Sequence, residues 1–276
     1  MESMQLVALD LDGTLLTPNQ NISRRNRQAI RRATQAGVHV VICSGRIAYS
    51  AVQFAKTLGL TDPVIAVNGA HVVDPVSGQT LSLNSMPNAM ARKCVEVAET
   101  LNLYSCVFKP FSLHSRQVAY SMRKYAEMIK HTNGPVPLDV KVEESTAAVI
   151  AAAGDEALKV VLAGDPGKLA QARKLLDDPG LEVTSSWFDN LEILASGVHK
   201  GTGLAFVADY LGVPRDRVMA MGDNENDLGM LRFAGMPVAM GNGEACVKEA
   251  AQYVTAPNHR CGVAVAIERF CPGARP

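Results

Sequence analysis

The sequence predicts an α/β protein built on a doubly wound parallel sheet, with a separate α+β domain inserted into that sheet. Two observations lead to this fold class. At both ends of the chain, short apolar runs alternate with segments of helical periodicity, which is typical of successive strand–helix–strand units. Between Asp74 and Gly197 the alternation gives way to mixed strands, helices and turns. We therefore assign residues 1–83 and 196–276 to a core domain and residues 84–195 to the inserted domain.

The first predicted strand, Leu6 to Leu9, is followed by two acids one residue apart, Asp10 and Asp12, and then by Gly13. Gly13 favours a sharp turn, so both acids would stand at the carboxyl end of a buried strand, where open α/β sheets bind ligands. Carboxylates this close repel each other unless a cation or a proton neutralises one of them. The pair indicates a metal site, an acid/base pair or both, although Asp and Gly are also common in plain turns.

Two further strands continue the alternation. Ser23 is an expected N-cap for a helix that ends near Ala36, and the second strand is Val38 to Cys43. Ser44 and Gly45 follow it with a hydroxyl and exposed backbone N–H groups before the next helix, an arrangement suited to anion binding or to simple N-capping. Pro63 to Val67 is the third predicted strand.

The second half of the core resumes after Gly197. Lys200 precedes a predicted helix, and a strand from Val218 to Met221 leads directly into Gly222-Asp223 and Asp227. A lone Lys is usually a solvated surface charge, and an acid-rich loop is often an exposed turn. In a parallel sheet, however, these residues and the first acid pair would converge on one edge. Three acids there, with a Ser and a Lys, suit a Mg²⁺ ion that also holds a phosphate.

These motifs resemble the haloacid dehalogenase superfamily of phosphotransferases. The residues that carry the resemblance, in the family's order, are Asp10-x-Asp12-Gly13-Thr14, Ser44, Lys200 and Gly222-Asp223-x-x-x-Asp227. Asn68-Gly69-Ala70 and Leu191-Glu192-Ile193 further resemble the Cof-type hydrolases, which carry a type IIB α+β cap between the second and third motifs. The resemblance implies a Rossmann-like core and identifies residues 84–195 as this cap.

The resemblance also implies a role for each site residue. Asp10 would be the nucleophile, and Asp12 would protonate the leaving oxygen and then deprotonate the attacking water. Mg²⁺ would be held by the carboxylates of Asp10 and Asp223 and by the backbone carbonyl of Asp12. The groups expected to hold the phosphoryl oxygens are the N–H groups of Leu11 and Gly45 and the side chains of Ser44, Lys200 and Asn226. Asp227 would orient Lys200 or a water on the metal.

The expected activity is Mg²⁺-dependent hydrolysis of a small phosphorylated metabolite, such as a sugar phosphate, nucleotide or cofactor phosphate, through an aspartyl phosphate. A phosphomutase with the same cap is an alternative, because the catalytic motifs are shared. A phosphate-sensing protein without turnover is another, but it would need a damaged nucleophile, acid or metal ligand, and Asp10, Asp12 and Asp223 are intact. An acid at position 12 also argues against halide displacement.

The composition limits the classes of binding partner that we expect. Lys plus Arg and Asp plus Glu each number 27, so no basic excess points to nucleic acid or to an acidic membrane surface. No apolar stretch approaches the length of a membrane helix, no secretion signal is evident, and the six cysteines show no zinc spacing. We expect a cytoplasmic protein with no obligatory protein partner. Cap residues considered for contact with the leaving group are Lys109, His114, Arg116, Arg123 and Lys124.

Overall fold

A computed structural model describes residues 3–131 and 134–274 of the 276-residue chain. The strands in these ranges are β1 (Leu6–Leu9), β2 (His39–Ile42), β3 (Val64–Ala66), β4 (His71–Val73), β5 (Thr80–Leu83), β6 (Tyr104–Phe108), β7 (Ser112–Ser115), β8 (Asp139–Val142), β9 (Lys159–Ala163), β10 (Leu181–Thr184), β11 (Asn190–Ala195), β12 (Val218–Gly222), β13 (Met236–Ala239) and β14 (Tyr253–Val254). The α-helices are α1 (Arg24–Gln35), α2 (Ala48–Leu58), α3 (Asn88–Thr100), α4 (Tyr120–Met128), α5 (Thr146–Ala153), α6 (Pro166–Leu175), α7 (Lys200–Tyr210), α8 (Leu228–Phe233), α9 (Ala245–Ala250) and α10 (Gly262–Phe270).

The core is a five-stranded parallel sheet in the order β14-β13-β12-β1-β2. Alternate residues of β1 face opposite sides: Val7 and Leu9 pack in a cluster with α1 and α10, whereas Leu6 and Ala8 pack with α7. Both faces of the sheet are therefore covered by helices, which explains why its strands are apolar throughout. The predicted doubly wound α/β core is confirmed.

The third predicted strand differs from the simple alternating pattern. The backbone of β3 pairs with the parallel sheet through an isolated bridge between Cys43 and Ile65, and β3 pairs antiparallel with β4 in a three-stranded sheet, β3-β4-β5. The reason is local, because Val67 and Asn68 have φ of 50° and 54° and reverse the chain immediately after β3. That reversal produces a direct return strand instead of a crossover helix.

The cap contains a six-stranded mixed sheet in the order β10-β11-β9-β6-β7-β8, antiparallel except for the β7–β8 pair. Its outer face packs on α3, α5 and α6, and its inner face faces the core. The inserted α+β cap expected from the sequence is thus present, whereas its limits at residues 84 and 195 stay a prediction. Within residues 3–131 and 134–274, every helix is too short or too polar to span a membrane.

Candidate active site

The turn after β1 brings the first acid pair against the loop after β12. Asp10 is 5% exposed, and its backbone N–H donates to the Met221 carbonyl, which continues the β1–β12 pairing. The Thr14 hydroxyl donates to Oδ1 of Asp223 at 2.9 Å. Gly13 has φ of +83°, and a Cβ there would lie 2.1 Å from Oδ2 of Asp223. Gly13 is therefore required both by the turn and by the close approach of the Asp223 carboxylate.

Lys200 links this turn to the second acid pair. Its side chain is 1% exposed, and its ammonium donates to Oδ1 of Asp10 at 2.7 Å and to Oδ1 of Asp227 at 2.6 Å. The other oxygen of Asp227 accepts the backbone N–H groups of Asp223 and Asn224. Asp227 thus contacts both the Lys200 side chain and the loop that carries Asp223, and its orienting role stays a prediction.

The acids Asp10, Asp223 and Asp227 have carboxylate oxygens within 4.8 Å of one another. Three carboxylates against the single ammonium of Lys200 leave a charge of −2 in a largely buried site. Oxygen ligands and this residual charge fit a hard divalent cation. The sequence expected the carboxylates of Asp10 and Asp223 as ligands; the structure adds Asp227 to the cluster and turns the Asp12 side chain away from it, toward Arg46.

The pKa shifts reflect this crowding. Burial, together with the nearby charges of Asp227 and Asp223, raises the pKa of Asp10 despite its contact with Lys200. Burial and the charge of Asp227 raise the pKa of Asp223 to about 7. Burial disfavours the charged form of Lys200, but the charges of Asp10 and Asp227 outweigh it and raise the pKa of Lys200 above its usual value. The surroundings of Asp10 and Asp223 therefore disfavour their ionised forms, and a bound cation would favour those forms.

Asp12 lies in a different electrostatic environment. The buried guanidinium of Arg46 binds it through two hydrogen bonds, from Nε at 2.6 Å and from Nη2 at 2.5 Å. Burial would raise the pKa of Asp12, but the hydrogen bonds and charge of Arg46 outweigh burial and lower it. Lys124 of the cap helix α4 approaches the same carboxylate at 4.0 Å. The two acids of the first motif consequently have opposite pKa shifts, which suits groups with different chemical tasks.

Of the expected phosphate-binding residues, Ser44, Gly45 and Asn226 line the same pocket. Ser44 is buried, and its Oγ accepts the backbone N–H of Arg46 at 3.2 Å. The Asn226 side-chain amide donates to Oδ1 of Asn68 at 3.3 Å. Leu11 directly follows Asp10, with its side chain buried in the core, and Gly45 lines the pocket beside Ser44. The core residues singled out in the sequence thus lie around one edge of the sheet.

A cavity of about 900 Å³ lies between this edge and the inner face of the cap sheet. The core contributes the acids, and the cap contributes aromatic and charged side chains, among them Tyr120, Lys124, Lys159 and Trp187. Of the five cap residues considered from the sequence, only Lys124 is among the described residues that line the cavity. The cavity can therefore hold a phosphate at the acids and an organic group against the cap.

This arrangement defines a capped α/β hydrolytic enzyme whose acids Asp10, Asp12 and Asp223 line a pocket between the core and the cap. Residues 7–267 match a family model described as haloacid dehalogenase-like hydrolase, and the chain belongs to this family. The protein is an enzyme of the phosphoric monoester hydrolase class. The resemblance inferred from the sequence motifs is confirmed.

Individual relatives extend over nearly the whole chain. It is 33% identical to 5-amino-6-(5-phospho-D-ribitylamino)uracil phosphatase YitU of Bacillus subtilis, over 96% of this chain and 97% of the relative. It is 30% identical to pyridoxal phosphate phosphatase YbhA of Escherichia coli, over 92% of this chain and 94% of the relative. The solved structure of a haloacid dehalogenase-like hydrolase from Bacillus subtilis superposes with a TM-score of 0.84 at 27% identity, over 97% of this chain and 100% of that one.

Sequence reasoning assigned no site role to four side chains: Arg46, Lys159 and Glu192, which line the pocket, and Asn68, which contacts Glu192. Arg46 directly follows Ser44-Gly45, so its place beside the second motif was a usable signal. Asn68 and Glu192 were visible only as marks of the family resemblance. Lys159 had no signal, because one cation in a predicted strand gives no indication of its partner.

Proposed function

We propose that the protein is a Mg²⁺-dependent phosphatase that hydrolyses a small phosphorylated metabolite through an aspartyl phosphate on Asp10. The observation that carries the proposal is the convergence of four charged groups: Asp10 and Asp223 line a cavity between core and cap, and the buried Asp227 and Lys200 lie against them. The site has a buried carboxylate for the nucleophile, a cation-binding cluster and an adjacent set of phosphate-binding groups.

In the first step an oxygen of Asp10 attacks phosphorus while the bond from phosphorus to the leaving oxygen breaks. Lys200 holds Oδ1 of Asp10 at 2.7 Å and so fixes the orientation of the carboxylate. Lys200, Ser44 and Asn226 supply donors toward the phosphoryl oxygens, which carry the developing charge. A Mg²⁺ ion at the acid cluster would neutralise part of that charge and keep the carboxylates ionised.

Asp12 would transfer the protons. In the first step it donates a proton to the leaving oxygen, and in the second it takes one from the water that attacks phosphorus, which releases phosphate and restores Asp10. The Arg46 contact favours the ionised form of Asp12 and therefore suits the second step. Donation in the first step requires Arg46 to release this carboxylate, and a substrate phosphate is a competing anion for the guanidinium.

The cavity and the relatives support a class of substrate. Its volume of about 900 Å³ exceeds what a phosphate alone needs, and it is lined on the cap side by Tyr120, Trp187 and Phe188. The relatives named above act on a ribitylaminouracil phosphate and on pyridoxal phosphate. These observations support a small phosphate monoester of the sugar, nucleotide or cofactor type.

Hydrolysis of p-nitrophenyl phosphate with and without Mg²⁺ tests the proposal. We expect turnover that EDTA abolishes and Mg²⁺ restores, and its loss in Asp10→Asn because an amide oxygen is a far weaker nucleophile. Asp216→Asn is the matched control, since Asp216 is exposed on the core and should leave turnover unchanged. Full activity in Asp10→Asn, or turnover indifferent to EDTA, would contradict the proposal.

A further inference from the structure

Two motifs without an assigned role, Asn68-Gly69-Ala70 of the core and Leu191-Glu192-Ile193 of the cap, meet across the domain boundary. The Asn68 amide donates to Oε2 of Glu192 at 2.5 Å, and Glu192 pairs with Lys159. We propose that Lys159 and Glu192 are positioning residues, an inference that rests on the proposed phosphatase function. They organise the phosphate-binding residues of the core when the cap lies against the core. The cap thereby sets the affinity of the protein for phosphate. We call Lys159, Glu192 and Asn68 the cap–core network.

Lys159 acts on the loop that carries Ser44. It is 1% exposed, at the start of β9, and its ammonium donates to the Gly45 carbonyl at 2.6 Å. That carbonyl belongs to the peptide between Gly45 and Arg46, and the N–H of the same peptide donates to Oγ of Ser44 at 3.2 Å. Because a peptide unit is planar, holding its carbonyl also sets the direction of its N–H. A cap residue thereby fixes the Ser44 hydroxyl of the core.

Glu192 acts on Asn68 and, through Asn68, on Asn226. It lies on β11, on the same inner face of the cap sheet as Lys159, and its Oε1 accepts the Lys159 ammonium at 3.0 Å. Its Oε2 holds the Asn68 amide, and Oδ1 of Asn68 accepts the Asn226 amide at 3.3 Å. The orientation of Asn68, with its amide donating and its carbonyl accepting, is thus set by the charge of Glu192.

The network is buried and has little tolerance for added atoms. Glu192 is 6% exposed and Asn68 is 2% exposed. A Cβ on Gly45 would lie 2.8 Å from Oδ1 of Asn68 and 3.2 Å from Oε2 of Glu192. The two charges are therefore held in one arrangement, and moving the cap away would leave both without their core partners. Seating of the cap and ordering of the phosphate-binding residues are linked in this geometry.

Because the cap contacts and phosphate binding are thermodynamically linked, the effect of the cap on phosphate affinity can be measured without turnover. If the cap orders the phosphate-binding residues, removal of Lys159 lowers the affinity for inorganic phosphate even though Lys159 has no assigned contact with phosphate. Loss of one charge-assisted hydrogen bond corresponds to about a tenfold change in affinity. We expect the phosphate dissociation constant of the Mg²⁺-loaded protein to rise about tenfold in Lys159→Met and in Glu192→Gln, with KM for p-nitrophenyl phosphate rising in parallel.

The experiment titrates inorganic phosphate calorimetrically into wild type, Lys159→Met, Glu192→Gln and the double variant Lys159→Met/Glu192→Gln, all with saturating Mg²⁺. The double variant removes both buried charges and provides a folded comparison where one unpaired charge prevents folding. Lys93→Met is the matched control, because Lys93 forms a 2.6 Å ion pair with Asp178 within the cap, outside the residues that line the cavity.

A purely structural role would lower the melting temperature while leaving the phosphate dissociation constant of the folded protein within twofold of wild type. That result would overturn the proposal, as would an equal loss of affinity in Lys93→Met. Its failure is distinct from failure of the phosphatase proposal, which would appear as absence of Mg²⁺-dependent turnover in the wild type. Absence of phosphate binding to the wild-type protein would mean that the cap–core network has no phosphate site to organise, and this result would also overturn the inference.

Discussion

Gly13→Ala separates the two reasons for a glycine in the first motif, its backbone conformation and its contact with Asp223. Gly13 and Gly37 share nearly the same φ, +83° and +81°, but a Cβ at Gly37 has no atom within 4 Å. Gly37→Ala therefore introduces backbone strain without a steric overlap, and this strain lowers the free energy of unfolding by about 1 kcal/mol in the left-handed region. Gly13→Ala carries the same strain together with an overlap.

The size of the overlap determines the expected loss of activity. The added Cβ of Gly13→Ala would lie 2.1 Å from Oδ2 of Asp223 and 2.6 Å from its Cγ. The carboxylate must move by roughly 1 Å to reach ordinary contact distance. A displacement of this size at a catalytic group can cost about 100-fold in rate. We expect kcat/KM for p-nitrophenyl phosphate to fall about 100-fold in Gly13→Ala, and not at all in Gly37→Ala.

Steady-state kinetics over a range of Mg²⁺ concentrations, with urea unfolding of each variant, provides the test. Displacement of Asp223 should also raise the Mg²⁺ concentration needed for half-maximal activity in Gly13→Ala. Similar destabilisation in both variants with activity lost only in Gly13→Ala would support the reasoning. Equal activities for the two variants would refute the placement of Asp223 against the turn.

Three further changes test the charges and the fold. Lys200→Met should destabilise the metal-free protein by about 3–5 kcal/mol at pH 7.5, because Asp10 and Asp227 lose their buried partner, and unfolding in EDTA measures this. Burial lowers the pKa of His71 to about 4, so the unfolded chain binds a proton that the native protein does not, and stability falls as pH decreases from 6.5 toward 4. His71→Gln should reduce the loss between pH 7.5 and pH 5 by about 2 kcal/mol in urea unfolding. Ser23→Ala removes the N-cap of α1 and should cost about 1 kcal/mol with kcat unchanged.

Each of these changes has a contradicting outcome. If Lys200→Met is as stable as the exposed control variant Lys56→Met, Lys200 is not the partner of the buried acids. A pH dependence identical to wild type in His71→Gln would place the titrating group elsewhere. A kcat loss in Ser23→Ala would mean that α1 affects the catalytic site, which its position outside the cavity does not predict.

The meeting of the acids at one edge of the sheet could be predicted because it follows from a general rule of parallel sheets. Asp10 follows β1 and Asp223 follows β12, and these strands are neighbours, so residues more than two hundred positions apart meet at one edge. The apolar strands and the helical periodicities were sufficient to establish that arrangement. The excess negative charge of the site could also be predicted from the sequence, because closely spaced acids after a buried strand need a cation.

The remaining features depend on side-chain pairing across distant parts of the fold. The Arg46 contact with Asp12 reverses the direction of the pKa shift relative to Asp10, and spacing alone cannot show which acid the guanidinium chooses. The Lys159–Glu192 pair depends on the register of two cap strands. The direct reversal after β3 arises from positive φ at Val67 and Asn68, two residues that a pattern of strands and helices treats as ordinary.

The central claim is that Asp10 becomes phosphorylated during turnover. Mixing enzyme, Mg²⁺ and substrate, quenching within one turnover, and reducing with borohydride converts an acyl phosphate on an aspartate into homoserine, which peptide mass spectrometry locates. The account predicts homoserine at position 10 in wild type. With p-nitrophenyl phosphate, whose leaving group departs without a proton from Asp12, homoserine should accumulate further in Asp12→Asn because activation of water is slowed. Sustained turnover with an unmodified Asp10, or modification at another acid, would contradict the account.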